Sequence, residues 1–125
     1  MLSRFTLIDY DREMALVAVS HESQPGADGQ VSEVPRMLGV SRYISNPDRT
    51  SCEFSLVVAD DFKGRGLGSR LMLSIMEVAR DKGLSEIEGL VLAKNQTMLK
   101  LMRGLGFLIK PFPEDADFML VTQTL

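Results

Sequence analysis

Three alternating glycines, Gly64, Gly66 and Gly68, fall in the run Asp60-Asp61-Phe62-Lys63-Gly64-Arg65-Gly66-Leu67-Gly68-Ser69, and their spacing suits the holding of a phosphate. Upstream, Ser51-Cys52-Glu53-Phe54-Ser55-Leu56-Val57-Val58 alternates and ends in β-branched residues, which reads as a strand. Downstream, Leu67, Leu71, Ile75 and Ala79 recur every fourth residue, with Met72, Met76 and Val78 widening the stripe, which reads as an amphipathic helix. The glycines therefore stand where a strand becomes a helix. Amides in a helix's first turn have no intrahelical partner and carry the positive end of its dipole, so a turn stripped of side chains there admits an anion closely. A plain surface turn fits the same spacing. A Walker loop requires a lysine after its last glycine, and none follows here. The dinucleotide fingerprint Gly-x-Gly-x-x-Gly fails too, because its third position is Ser69 counted from Gly64 and Leu71 counted from Gly66.

What the run does fit is Gln/Arg-x-x-Gly-x-Gly/Ala, aligned as Lys63-Gly64-Arg65-Gly66-Leu67-Gly68 with Lys63 in the first place. That loop resembles the pyrophosphate loop of the GNAT superfamily of acyl-CoA-dependent N-acyltransferases. Downstream, Asn95-Gln96-Thr97-Met98-Leu99-Lys100-Leu101-Met102-Arg103-Gly104-Leu105-Gly106-Phe107 looks like the family's Asn-x-x-Ala/Met-x-x-Leu-Tyr-x-x-Leu-Gly-Phe segment, with Met102 in place of the tyrosine. Cys52-Glu53-Phe54, the valine pair, Val91-Leu92, Asn95 and Met98 bring the resemblance nearest to the acetyltransferase domain of bacterial protein-lysine acetyltransferases of the Pat type. It covers the chain from about Phe5 to about Gln123 and begins late, without the family's first strand and the two helices that follow it.

The resemblance implies acetyl-CoA as cofactor, with direct transfer of its acetyl group to a protein lysine ε-amine. Backbone groups around Val57 and Val58 would pair with the pantetheine arm, the turn formed by Lys63, Gly64, Arg65, Gly66, Leu67, Gly68 and Ser69 would hold the pyrophosphate, and the Asn95 amide would reach the arm. A bare N-cap is the plainer reading of Asn95. Transfer to an amine requires the ammonium to lose a proton, so a carboxylate near the acceptor serves as general base. Glu53 stands where Pat-type domains carry their catalytic glutamate; without the family match it would read as a solvated strand residue. Acetylation of a small amine and an inactive acyl-CoA-binding regulatory domain are the alternatives. The missing helices normally flank the acceptor entrance, so the short start would open that groove, leave an apolar surface that pairs with another copy in a homodimer, or mark a piece of a longer protein.

Other reactive residue types carry less. Cys52 points to the strand face opposite Glu53 and reads as a small core residue. His21 has no second ligand at metal spacing, so no metal site is expected. Tyr10 and Tyr43 are the only phenols, and neither occupies the place of the family's general acid. Met102 has no proton to give. Departure of the CoA thiolate then proceeds unassisted or with help from Ser69 or water, since a thiol is far more acidic than an amine.

The elements that must position these groups follow in a simple order. Residues 5–8 form a short apolar lead-in, residues 9–12 a polar turn, and residues 14–19 a buried strand. Residues 21–33, with Pro25-Gly26 and Asp28-Gly29, read as a loop at a hairpin tip, and residues 37–44 and 51–58 as the next strands. Short turns between them make the three antiparallel. A helix over residues 66–82 ends at Gly83, and a strand over residues 87–92, reached by crossover, runs parallel to the one ending at Val58. Asn95 opens a second helix, and residues 107–112 and 118–121 form a final hairpin. The expected fold is α/β of the α+β kind. Its sheet is mixed and mainly antiparallel with flanking helices, and the GNAT resemblance adds that the parallel pair splays apart.

Composition agrees with one small domain over residues 1–125. The 14 basic and 17 acidic side chains give a formal net charge of −3 without a basic run, so nucleic-acid binding has no electrostatic support and an anionic ligand needs a local site. Cys52 is the single cysteine, which suits a reducing cytoplasm. No apolar stretch approaches the roughly 20 residues that cross a bilayer, so no membrane partner is expected.

Overall fold

Alternating apolar and polar residues fill most of the chain's first half, and there they build an antiparallel meander. The computed structural model describes residues 2–26, 29, 31–59 and 66–125. Its strands and helices are β1 (Leu2–Asp9), β2 (Glu13–Pro25), β3 (Val31–Ser45), β4 (Ser51–Val58), α1 (Leu67–Asp81), β5 (Glu86–Leu92), α2 (Gln96–Gly104), β6 (Leu108–Pro111) and β7 (Phe118–Thr124). One seven-stranded sheet has the order β1-β2-β3-β4-β5-β7-β6. Every neighbouring pair is antiparallel except β4 and β5. The mixed sheet, the parallel pair and the final hairpin stand as the sequence implied.

Two elements differ from expectation. Leu2–Asp9 is a full edge strand paired with β2 from Leu2↔His21 to Asp9↔Met14, so the short lead-in supplies the outer strand that the resemblance left missing. The expected loop over residues 21–33 is mostly ribbon, since β2 and β3 stay paired out to Pro25↔Val31. Proline and glycine suggested a loop because they break internal strands. β4, however, pairs with β3 only over Gly39–Ser45, so Pro35 lies where one edge of β3 is free and its missing N–H costs no ladder bond. At Ala18/Val19 the β2–β3 register shifts, and Leu38 is the extra residue, turned into the core at 2% exposure.

Both helices pack on the same sheet face. Tyr43 and Phe54, Ser41 and Leu56, and Gly39 and Val58 are cross-strand partners, so each pair shares a face. A Cβ on Gly39 would meet Leu71 of α1 at 2.9 Å, and one on Gly68 would meet Leu101 of α2 at 3.2 Å, beside Leu56 and Val58. Helix α1 buries Leu67, Leu71, Met72, Ile75, Met76 and Ala79 there, and Ser41 Oγ donates to Leu71 O at 3.0 Å. Lys82 Nζ meets Asp9 Oδ2 at 3.3 Å, tying the end of α1 to the edge strand. The opposite face carries no helix among the described residues. By strand alternation it presents Ile8, Ile44, Val57, Leu90 and Leu92, all exposed.

Candidate functional site

The site begins where the sheet parts. β4 and β5 pair only at Ser51↔Glu86, Cys52↔Ile87 and Glu53↔Glu88. The next residue on each strand is Phe54 on β4 and Gly89 on β5. Phe54 turns its ring against Gly89 so closely that a Cβ there would stand 2.6 Å from a ring carbon, and the ring also packs on Phe107 at 5.5 Å and 57°. The ring lies on the core face of the sheet, over the first residues beyond the paired rungs. Beyond it, the antiparallel ladder with β3 decides which backbone groups are left over. Ala59 N donates to Leu38 O at 2.7 Å, so alternation turns the amide and carbonyl of Val57 toward β3 and those of Leu56 and Val58 toward the split.

The split opens into a cleft of about 750 Å³ lined by Leu56, Val57 and Val58 of β4, Gly66, Gly68 and Ser69 at the head of α1, and a face of α2. Gly66 caps α1 in the left-handed conformation at φ 78° with no side-chain cap, and no acid occupies the first turn. Arg70 N donates to Gly66 O at 3.1 Å, which leaves the amides of Leu67, Gly68 and Ser69 without intrahelical acceptors. Among the described residues of that turn no carboxylate is set against the positive end of the helix. The Leu67 side chain is buried in the core, so that residue offers the cleft only its amide. Val57 also lines the cleft and is 66% exposed. Asn95 Oδ1 accepts from Met98 N at 3.2 Å, capping α2, and its NH₂ remains a donor beside the cleft. Lys63, Gly64 and Arg65, expected in the phosphate turn, lie outside the described residues.

Glu53 stands apart from these groups. It occupies the last paired rung before the split, exposed on the open face, about 13 Å along the strand from Val57 at roughly 3.3 Å per residue. Glu88 is its direct neighbour on β5 and points to the same face. Cys52 faces the core at 0% exposure, its Sγ donating to Glu86 O at 3.7 Å; burial first, and then the Glu88 charge, push the thiol from 9.0 up to about 12. Such a thiol is no nucleophile near neutral pH. Tyr43 lies at the other end of the sheet beside a hollow of about 190 Å³, its phenol raised from 10.0 to about 12 by burial, then by Cys52 and Asp9. Met102 is fully buried. Among the described residues no group of three or more His, Cys, Asp or Glu is placed to hold a metal ion.

Several lining residues escaped the sequence reading. Thr97, Lys100, Leu101 and Gly104 recur at helical spacing along α2, a signal present in the chain but masked by the buried Leu99 and Met102 between them. The backbone role of Leu56 depends on which strand pairs on which side, and spacing alone does not carry that.

Comparison with known proteins follows the same lines. Residues 5–107 match the model of the acetyltransferase (GNAT) family. A Pseudomonas aeruginosa protein named as an acetyltransferase is 35% identical over 116 residues, which is 93% of this chain and 58% of that relative. The acetyltransferase Pat of Mycolicibacterium smegmatis is 39% identical over 57 residues, 46% of this chain and 17% of the relative. The chain thus spans little more than half the length of the first relative and a small part of the second. Among solved structures, the GNAT domain of S. lividans PAT superposes with a TM-score of 0.73 at 21% identity, covering 94% of this chain and 64% of that one, a likeness of fold.

Proposed function

The chain belongs to the GNAT acetyltransferase family, and from that premise we propose that it transfers the acetyl group of acetyl-CoA directly to a protein lysine ε-amine, with Glu53 as general base. One observation carries the reading. The cleft joins the unpaired edge of β4, the uncapped and acid-free start of α1 and the Asn95 amide, which are groups suited to a ligand that is peptide-like at one end and phosphorylated at the other. The residues present fit CoA on chemical grounds, since no carboxylate lines the cleft among the described residues.

In this reading the backbone groups of Leu56 and Val58 pair with the pantetheine amides as an added strand does. Val57 supports the arm through its side chain. The amides of Leu67, Gly68 and Ser69 hold the pyrophosphate, joined by the segment of Lys63, Gly64, Arg65 and Gly66. Asn95 donates its NH₂ to the arm. Bound acetyl-CoA supplies an acyl group activated as a thioester. The acceptor lysine approaches from the open sheet face, where Glu53 takes its proton directly or through a water. Met102, buried and without a proton, leaves the departing thiolate to Ser69 or solvent.

The Pat-type resemblance of residues 52–54 and of Asn95 and Met98 supports a protein lysine as acceptor, relatives named for thialysine and L-amino acid substrates keep a small amine as the second reading, and the single cysteine accords with a cytoplasmic setting. No described helix is long and apolar enough to cross a membrane. The uncovered sheet face is suited to pairing with a second copy. The test is calorimetry with acetyl-CoA, followed by thiol release in the presence of a bacterial lysate and of the same lysate with its lysines methylated. The reading expects binding, and thiol release from the first lysate only. Absence of binding overturns it, and equal release from both lysates removes the lysine acceptor.

A further inference from the structure

The walls of the cleft divide unevenly by charge. Among its described lining residues Lys100 alone is charged, the rest being apolar, glycine or neutral polar. It stands on α2 with Thr97, Leu101 and Gly104 at spacings of three and four, in the middle of the stripe that faces the hollow. The residues three and four away along the helix are Gln96, Thr97, Arg103 and Gly104, so no carboxylate neighbours it at those spacings. Among the described residues no ion pair or hydrogen bond engages its ammonium. An ammonium without a partner among the described residues, in a cleft whose other described lining groups are neutral, is suited to an anionic ligand. The head of α1 lies against α2, since a Cβ on Gly68 would stand 3.2 Å from Leu101 Cδ2, and Gly66, Gly68 and Ser69 line the same cleft as Lys100. The cleft therefore presents helix-end amides on one wall and an ammonium on the other.

We propose that Lys100 is a phosphate contact of the bound cofactor, its ε-ammonium closing the cleft from the α2 side against the first-turn amides of α1. The proposal rests on reading the cleft as a CoA site. CoA carries phosphate at its pyrophosphate and at the 3′ position of its adenosine, and a compact ammonium suits either. Lys100 binds and takes no part in the acyl transfer itself.

The test titrates the full chain, Lys100→Ala and Lys100→Arg with CoA and with 3′-dephospho-CoA by calorimetry at two salt concentrations, alongside thermal melts. Alanine suits an exposed helix position, so the fold should hold. Lys100→Ala should weaken CoA binding about 3- to 10-fold, in the range of an exposed to half-buried charged contact, while Lys100→Arg keeps most of the affinity. Added salt should narrow the gap between wild type and Lys100→Ala. A loss seen with CoA and absent with 3′-dephospho-CoA assigns the contact to the 3′-phosphate; an equal loss with both assigns it to the pyrophosphate. CoA affinity in Lys100→Ala within twofold of wild type, or a loss indifferent to salt, overturns the proposal while leaving the CoA site standing. A wild-type chain that binds no CoA overturns both.

Discussion

Glu53 and Cys52 are adjacent in sequence, yet strand alternation gives them opposite chemistry. Glu53 is exposed at the rung where β4 and β5 part, whereas Cys52 is buried with its proton held. Glu53→Gln removes the proposed proton acceptor and keeps the shape, so turnover should fall roughly 10²- to 10⁴-fold while acetyl-CoA affinity stays within twofold. Unchanged turnover in that variant would remove the assigned role. The buried thiol and phenol predict a pH dependence of stability. Cys52 rises from 9.0 to about 12 and Tyr43 from 10.0 to about 12, so each loses its proton earlier in the unfolded chain than in the folded one. Above pH 9 the unfolded state then binds fewer protons, and stability falls as pH rises. Urea midpoints should be insensitive to these two groups below pH 9 and drop progressively toward pH 12, and Cys52→Ala with Tyr43→Phe should flatten that drop. A drop of equal size in the double variant would assign it to other groups.

At the scale of elements, the site depends on the parting of two strands, and Phe54 packs over Gly89 at the level where their pairing ends. A Cβ at position 89 would stand 2.6 to 2.9 Å from three carbons of the Phe54 ring, so Gly89→Ala should destabilise the fold by about 1–3 kcal/mol. Phe54→Leu frees part of that space, and in a double-mutant cycle the pair should cost less than the sum of the two single changes. Additive losses in urea unfolding would mean that the ring does not set the limit. Gly68 holds the corresponding place between α1 and α2, with Leu101, Leu56 and Val58 all within 4 Å of its would-be Cβ. Gly68→Val should reduce CoA affinity about tenfold or more, a loss of ~1.4 kcal/mol or more, with helical circular dichroism preserved.

Across the whole molecule the two sheet faces are treated unequally. One carries α1, α2 and the core cluster; the other presents Ile8, Ile44, Val57, Leu90 and Leu92 to solvent. Exposed apolar side chains on an uncovered sheet face suit a contact surface. Sedimentation should therefore show self-association that grows with concentration, and Ile44→Glu, a change at a position 50% exposed, should shift it toward monomer. A wild-type chain that stays monomeric at high concentration would leave the face to another occupant. Glu53 lies on the same face, so self-association through it would adjoin the proposed acceptor approach.

The local pattern of the chain was sufficient for much of this. Alternation placed β4, four-residue spacing placed α1, and Asn95 marked the start of α2, because each signal arises within one element and reaches no further than a helical turn or a strand's pleat. Glycine spacing bounded by a strand and a helix, together with Asn95 and its following segment, was enough to point to the family. Pairing lay beyond local pattern. Whether residues 2–9 form a lead-in or an edge strand, and whether Pro35 breaks a strand or rides its free edge, depends on which neighbour lies alongside. The same holds for the site. Val57 and Val58 look equivalent in sequence, and only the ladder with β3 turns the backbone of Val58 toward the split and that of Val57 away from it. Hydrogen-bond direction in a sheet is a property of two chain segments together, so tertiary structure alone could decide it.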